Sequence, residues 1–113
     1  MNPVSEITDP DADQLAARIL SGRAEAAAGF LKALSHEGRL MILCHLTGGE
    51  KTVTELEVLL GARQAAVSQQ LARLRDEGMV RARREGKAIH YAISDQRAER
   101  LIALVYEMFC REA

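Results

Sequence analysis

A mainly helical chain with one β-hairpin, ordered as helix, turn, helix and then wing, is the fold these 113 residues predict. Three observations lead there. Apolar residues recur at helical spacing through most of the chain but alternate between residues 80 and 93. Glycines punctuate the helical pattern into five or six segments. The composition, 48% hydrophobic but only 4% aromatic and without Trp, suits a core of Leu, Ile, Val and Ala, as helical bundles build.

The elements follow in order. Residues 1–10, polar and holding both prolines, read as a disordered tail. Residues 11–113 read as one domain, large enough for a modest core. In "DADQLAARILSGRAEAAAGFLKALS", Asp11 or Asp13 caps a helix with Leu15 and Ile19 on one side. Gly22 marks a break, and Ala27, Phe30, Leu31 and Leu34 form the next apolar face. "SHEGRLMILCHLTGG" reads as a helix capped by Ser35 and ended by Gly48 and Gly49. Leu40, Met41, Ile42, Leu43 and Leu46 make it apolar around much of its girth, which marks the central core helix.

"KTVTELEVLLGARQ" carries a capping box at Thr52 and Glu55, with Thr54 and Glu57 as a second candidate. Leu56, Leu59 and Leu60 supply its apolar face, and Gly61 its left-handed end. In "RQAAVSQQLARLRDEGMV", Val67, Leu71, Leu74 and Gly78 fall in one sector at about 100° per residue. Neither Ala62 nor Arg63 is a good cap, so this helix has a weakly marked start. Short helix, glycine turn, second helix is a helix-turn-helix. Residues 80–83 and 88–93 then alternate as two strands around Glu85, Gly86 and Lys87, a hairpin whose tip carries Arg83, Arg84 and Lys87. The arrangement is a winged helix. The last segment, "DQRAERLIALVYEMFCREA", is a helix capped by Ser94 or Asp95. Its stripe of Leu101, Leu104, Val105 and Met108 is widened by Ile102 and Phe109. A stripe that broad calls for a second copy packed through this helix and the first one, a homodimer suited to inverted half-sites; the competing reading folds it back on its own domain.

The outer face of "RQAAVSQQLARLRDEGMV" indicates what the fold is for. It holds Ala65, Ala66, Gln69, Ala72 and Arg73, with Ser68 at its edge, and acids enter only at Asp76 and Glu77. Small residues permit close approach, and Gln and Arg can pair with adenine or guanine edges in a major groove. A solvated helix short of acids competes evenly until its flanks are counted. From residue 63 to 87 there are seven basic and three acidic residues; the remainder has eight basic and thirteen acidic, in a chain of net charge −1. A basic surface on an otherwise acidic molecule is a directional footprint for double-stranded DNA. Scarce aromatics count against single-strand or RNA stacking platforms. No Gly-rich phosphate loop or nucleophile–base–orienter set points to an enzyme, and a protein-binding module would not need the Gln69/Arg73 face. No apolar run approaches the roughly 20 residues of a membrane span. The start lacks the regions of a signal peptide, which places the chain in the cytoplasm with reduced thiols.

The run from "FLKALSHEGRLMILCHL" to "RREGKAIHYAIS", roughly residues 27–94, resembles the ArsR/SmtB family of winged-helix repressors. The resemblance implies a homodimer that represses an operator until an inducer binds. It places base reading on Gln64, Ser68, Gln69 and Arg73, and wing contacts on Arg83, Arg84 and Lys87. Many relatives sense metals, but their motifs are missing. Leu56, Glu57, Val58 and Leu59 stand where one site has its Cys-Val-Cys, and Arg97 follows Asp95 where another has His. His36, His45 and His90 lie on separate elements, and neighbours such as Cys44 and His45 point about 100° apart on a helix. No metal or other cofactor is expected; a metal- or haem-responsive repressor with a different site is the alternative.

Two cysteines remain. Cys44 sits on the core helix; Cys110 sits at the end of the last one, beside Ala103 and Tyr106 and away from Leu101 and Val105. A lone buried Cys is commonly inert. Two thiols on packed helices can bridge if their Cα atoms come within about 7 Å, and a chain of added sulfur spans more. The pair is similar to that of the BigR/SqrR-type branch of the family. That resemblance implies a Cys44–Cys110 dithiol that senses persulfides, other reactive sulfur or oxidants, and so derepresses sulfide-detoxification genes.

Overall fold

The computed structural model describes residues 10–110. They form α1 (Pro10–Leu20), α2 (Ala24–Leu34), α3 (Glu37–Leu46), β1 (Lys51–Thr52), α4 (Val53–Leu60), α5 (Gln64–Asp76), β2 (Val80–Glu85), β3 (Ala88–Ile93) and α6 (Gln96–Phe109). The expected tail falls outside the described residues except for Pro10, which opens α1. A proline fits there because its fixed φ suits a first turn and its missing N–H has no partner to lose. Asp11 and Asp13, expected as caps, lie instead inside that first turn, where carboxylates meet unpaired N–H groups.

The described residues divide into two compact units, with the break between Lys32 and Ala33. The first contains α1 and most of α2, separated as expected at Gly22. The second is a winged helix built on α3, which packs against α4, α5, α6 and β3. Ile42, Leu43 and Leu46 are its buried residues, while Met41 turns outward. Its cap is His36, not Ser35. The extended backbone of His36 (φ −108°, ψ 128°) aims Nδ1 at Gly38, whose N–H donates to it at 3.0 Å. An imidazole nitrogen thus fills the place of the expected hydroxyl.

The capping box on α4 forms as read. The Glu55 N–H donates to Thr52 Oγ1 at 3.2 Å, and the Thr52 N–H donates to Glu55 Oε1 at 2.8 Å. Gly61 ends the helix at φ +61°, a conformation that only glycine adopts without steric cost. Leu56 is fully buried, but Leu59 is largely exposed, which narrows the expected apolar face. The Thr52→Ala variant should lose about 1 kcal/mol of unfolding free energy in urea. The unused alternative, Thr54→Ala, should stay within about 0.5 kcal/mol of the parent.

Helix α5 begins after Arg63, which offers no side-chain cap. Val67, Leu71 and Leu74 enter the core, and Met79 and Val80 continue it into the wing. Gly78 falls in the turn beyond the helix rather than on its apolar face.

Strands β2 and β3 pair from Val80↔Ile93 to Glu85↔Ala88, so Glu85 joins the strand and the turn is only Gly86 and Lys87. Gly86 at φ +62° supplies the left-handed step that a two-residue hairpin turn needs. The sheet has three strands, not two. β1 pairs with β3 through Lys51↔Tyr91 and Thr52↔His90, giving the order β1-β3-β2. Two residues carry no alternation to read, and only the partner strand reveals them.

Asp95 caps α6, accepting the Arg97 N–H at 2.8 Å. Ala98 and Ile102 are buried and Leu101 and Val105 half-buried, while Leu104 and Phe109 are 50% and 79% exposed. Only one edge of the expected stripe faces the core.

Candidate nucleic-acid interface and thiol pair

Burial of Val67, Leu71 and Leu74 decides which face of α5 looks outward. Gln64, Ala65, Ser68, Gln69, Ala72 and Arg73 are all exposed on it. The helix has thirteen residues, about 20 Å of reading surface. Arg73 Nε lies 3.4 Å from Glu77 Oε2, an exposed i,i+4 pair of the kind that exchanges readily for another anion.

One glutamine was not singled out by sequence. Gln70 is half-buried and accepts from Arg39 Nη1 at 3.3 Å, while its amide nitrogen lies 3.5 Å from His36 Nε2. Arg39 Nε in turn donates to the Ala33 carbonyl at 2.6 Å. This network fixes α5 against the start of α3. Its one legible signal was an amide at the margin of the apolar face.

The wing lies beside the start of α5. Gln64, Thr54, Lys87 and Ile89 line a common cleft of about 400 Å³. Strand residues alternate between faces, so Arg83 and Arg84 point to opposite sides of the sheet. Arg84 and Lys87 are exposed. Arg83 is already engaged: Nε and Nη2 donate to Glu50 at 3.2 and 2.7 Å, and Nη1 donates to Glu85 at 2.9 Å. Those hydrogen bonds hold the Glu50 and Glu85 carboxyls below the usual carboxylate range.

Cys44 is half-buried on α3, and Cys110 is exposed at the C-cap of α6, its N–H donating to the Tyr106 carbonyl at 2.8 Å. Both thiols are free, and the two helices pack together. Burial, and then repulsion from the Cys110 thiolate, push the Cys44 thiol up from its ordinary value. Among the described residues, no group of three or more His, Cys, Asp or Glu could hold a metal ion. Nor is any described helix long and apolar enough to cross a membrane.

The family model described as bacterial regulatory protein, arsR family, matches residues 36–82. A biofilm growth-associated repressor of Agrobacterium fabrum is 48% identical over 88 residues, which is 78% of this chain and 75% of that protein. The transcriptional repressor BigR of Xylella fastidiosa has a crystal structure similar at a TM-score of 0.78 and 41% identity, with 85% of this chain and 98% of that one covered. Reduced HlyU from Vibrio cholerae is similar at a TM-score of 0.75 and 38% identity, covering 78% and 93% of the two chains.

Proposed function

Because this chain belongs to the ArsR family of bacterial regulatory proteins, we propose that it is a cytoplasmic DNA-binding repressor that releases its operator when reactive sulfur or another oxidant links Cys44 to Cys110. The observation that carries DNA binding is the exposed face of α5, free of acids until its last turn and adjoining a basic wing. Gln64, Ser68, Gln69 and Arg73 read base edges, and Arg84 and Lys87 meet phosphates. Arg83 enters that set only by leaving Glu50. Two copies pack through α6, where Leu104, Met108 and Phe109 are uncovered, and present two α5 helices to inverted half-sites.

Fluorescence anisotropy tests the DNA-reading part, with an operator selected from a random-sequence pool and a scrambled duplex as reference. Gln69→Ala and Arg73→Ala should each lose about 1–3 kcal/mol of discrimination between the two duplexes. If both variants discriminate like the parent, α5 is not the reading helix.

The sensing chemistry follows from the unequal thiols. The exposed Cys110 thiolate attacks the terminal sulfur of an inorganic polysulfide; its S–S bond breaks, a polysulfide one sulfur shorter leaves with the electron pair, and Cys110 is left as a persulfide. Cys44, whose burial leaves it less thiolate than an ordinary thiol, acts second. It loses its proton to water, attacks Cys110 Sγ as the thiolate and expels hydrosulfide. The dithiol is oxidised by two electrons, and one zero-valent sulfur is reduced to sulfide. The bridge then favours a geometry less able to seat both α5 helices on DNA.

A further inference from the structure

We propose that Glu50 is a positioning residue of the wing: it ties Arg83 into the sheet as a tether and keeps that arginine off the DNA phosphates, which leaves the wing contacts to Arg84 and Lys87. The proposal rests on the DNA-binding reading above.

Its basis is a closed set of hydrogen bonds. All three nitrogens of the Arg83 guanidinium donate to carboxylates, two of them in parallel to the two oxygens of Glu50. That fork-to-fork geometry is the one in which arginine is most fully satisfied by a single carboxylate. The pair is also long-range. Glu50 precedes β1 and Arg83 lies on β2, and these strands flank β3 without touching each other. The side chains therefore link the two outer strands across His90, the cross-strand partner of both Arg83 and Thr52.

Charge points the same way. Two carboxylates around one guanidinium leave the group with a net negative charge. A phosphate approaching Arg83 would have to displace Glu50 and then lie beside both acids, which stay ionised. Exposed ion pairs usually contribute little stability; here the consequence is where the charge is offered. The face of the hairpin matters as well. Arg84 pairs across the strand with Ile89, which lines the cleft shared by Gln64 and Lys87. Arg83 points to the other side.

Two measurements test this. The first is the salt dependence of binding to a fluorescein-labelled mixed-sequence duplex of about three helical turns. Each lost phosphate contact lowers the slope of log affinity against log salt by about 0.9. Arg84→Gln and Lys87→Gln should each lower it by that amount per bound protomer. Arg83→Gln should leave it unchanged, and Glu50→Gln should steepen it by freeing Arg83. A slope lowered as much by Arg83→Gln as by Arg84→Gln would overturn the proposal. The second is amide hydrogen exchange across β1 and β3. Glu50→Gln and Arg83→Gln should accelerate it alike, with no further gain in the double variant; unchanged exchange in both would overturn the tether. If the unaltered protein shows no salt-dependent binding, the DNA reading fails instead, and the tether stands or falls on the exchange rates.

Discussion

Treated with inorganic tetrasulfide, the unaltered protein should lose about tenfold or more in operator affinity, while Cys44→Ser and Cys110→Ser should lose none. A tenfold loss needs the bridge to bias the protein by only about 1.4 kcal/mol against the DNA-bound geometry. That is a small demand on a covalent link between packed helices. Intact mass should show the loss of two hydrogens or the addition of sulfur in the unaltered protein, and no internal bridge in either variant. Limited alkylation with iodoacetamide at about neutral pH should label Cys110 before Cys44. The sign follows from the pKa: a thiol raised by burial and by a neighbouring thiolate has less thiolate at neutral pH than a free one. Labelling of Cys44 should therefore keep accelerating with pH beyond the range where an ordinary thiol has levelled off. A crosslinked protein that binds its operator as tightly as the reduced one would sink the switch.

Leu71→Ala should cost about 3 kcal/mol of unfolding free energy, a large stability effect for a single residue of α5. Leu71 is completely buried, so its truncation removes apolar contact and leaves a cavity that the packing of α3, α4 and α5 closes only in part. For a domain of this size, each kcal/mol moves Tm by roughly 4–8 °C. The melting temperature should fall by more than about 10 °C. Leu71→Met, which keeps the volume, should cost less than about 1.5 kcal/mol. Gln69→Ala, two positions earlier on the outer face, should stay within about 0.5 kcal/mol of the parent. Urea unfolding at one fixed protein concentration reads all three. Equal losses at Leu71 and Gln69 would mean that α5 is rotated from the orientation described.

The sequence by itself determined the elements that local chemistry writes down. Thr52 and Glu55 needed only three residues of separation to form their box, and Gly61 and Gly86 marked turns by lacking a Cβ. The period of Val67, Leu71 and Leu74 fixed both the core side of α5 and, by exclusion, its outward Gln69 and Arg73. Charge counting located the basic wing. These features are legible because each depends on neighbours within a turn or a strand. Tertiary structure alone decided the rest. The cap at His36 depends on a backbone bend, and β1 exists only because β3 lies beside it. Gln70 and Arg39 meet across 31 residues of chain, and Arg83 meets Glu50 across 33. Which edge of the α6 stripe turns inward, and that α6 packs against the helix carrying Cys44, likewise follow from packing. Periodicity gives the direction of a side chain around its own axis. What that side chain meets is set by how separate axes are placed against one another.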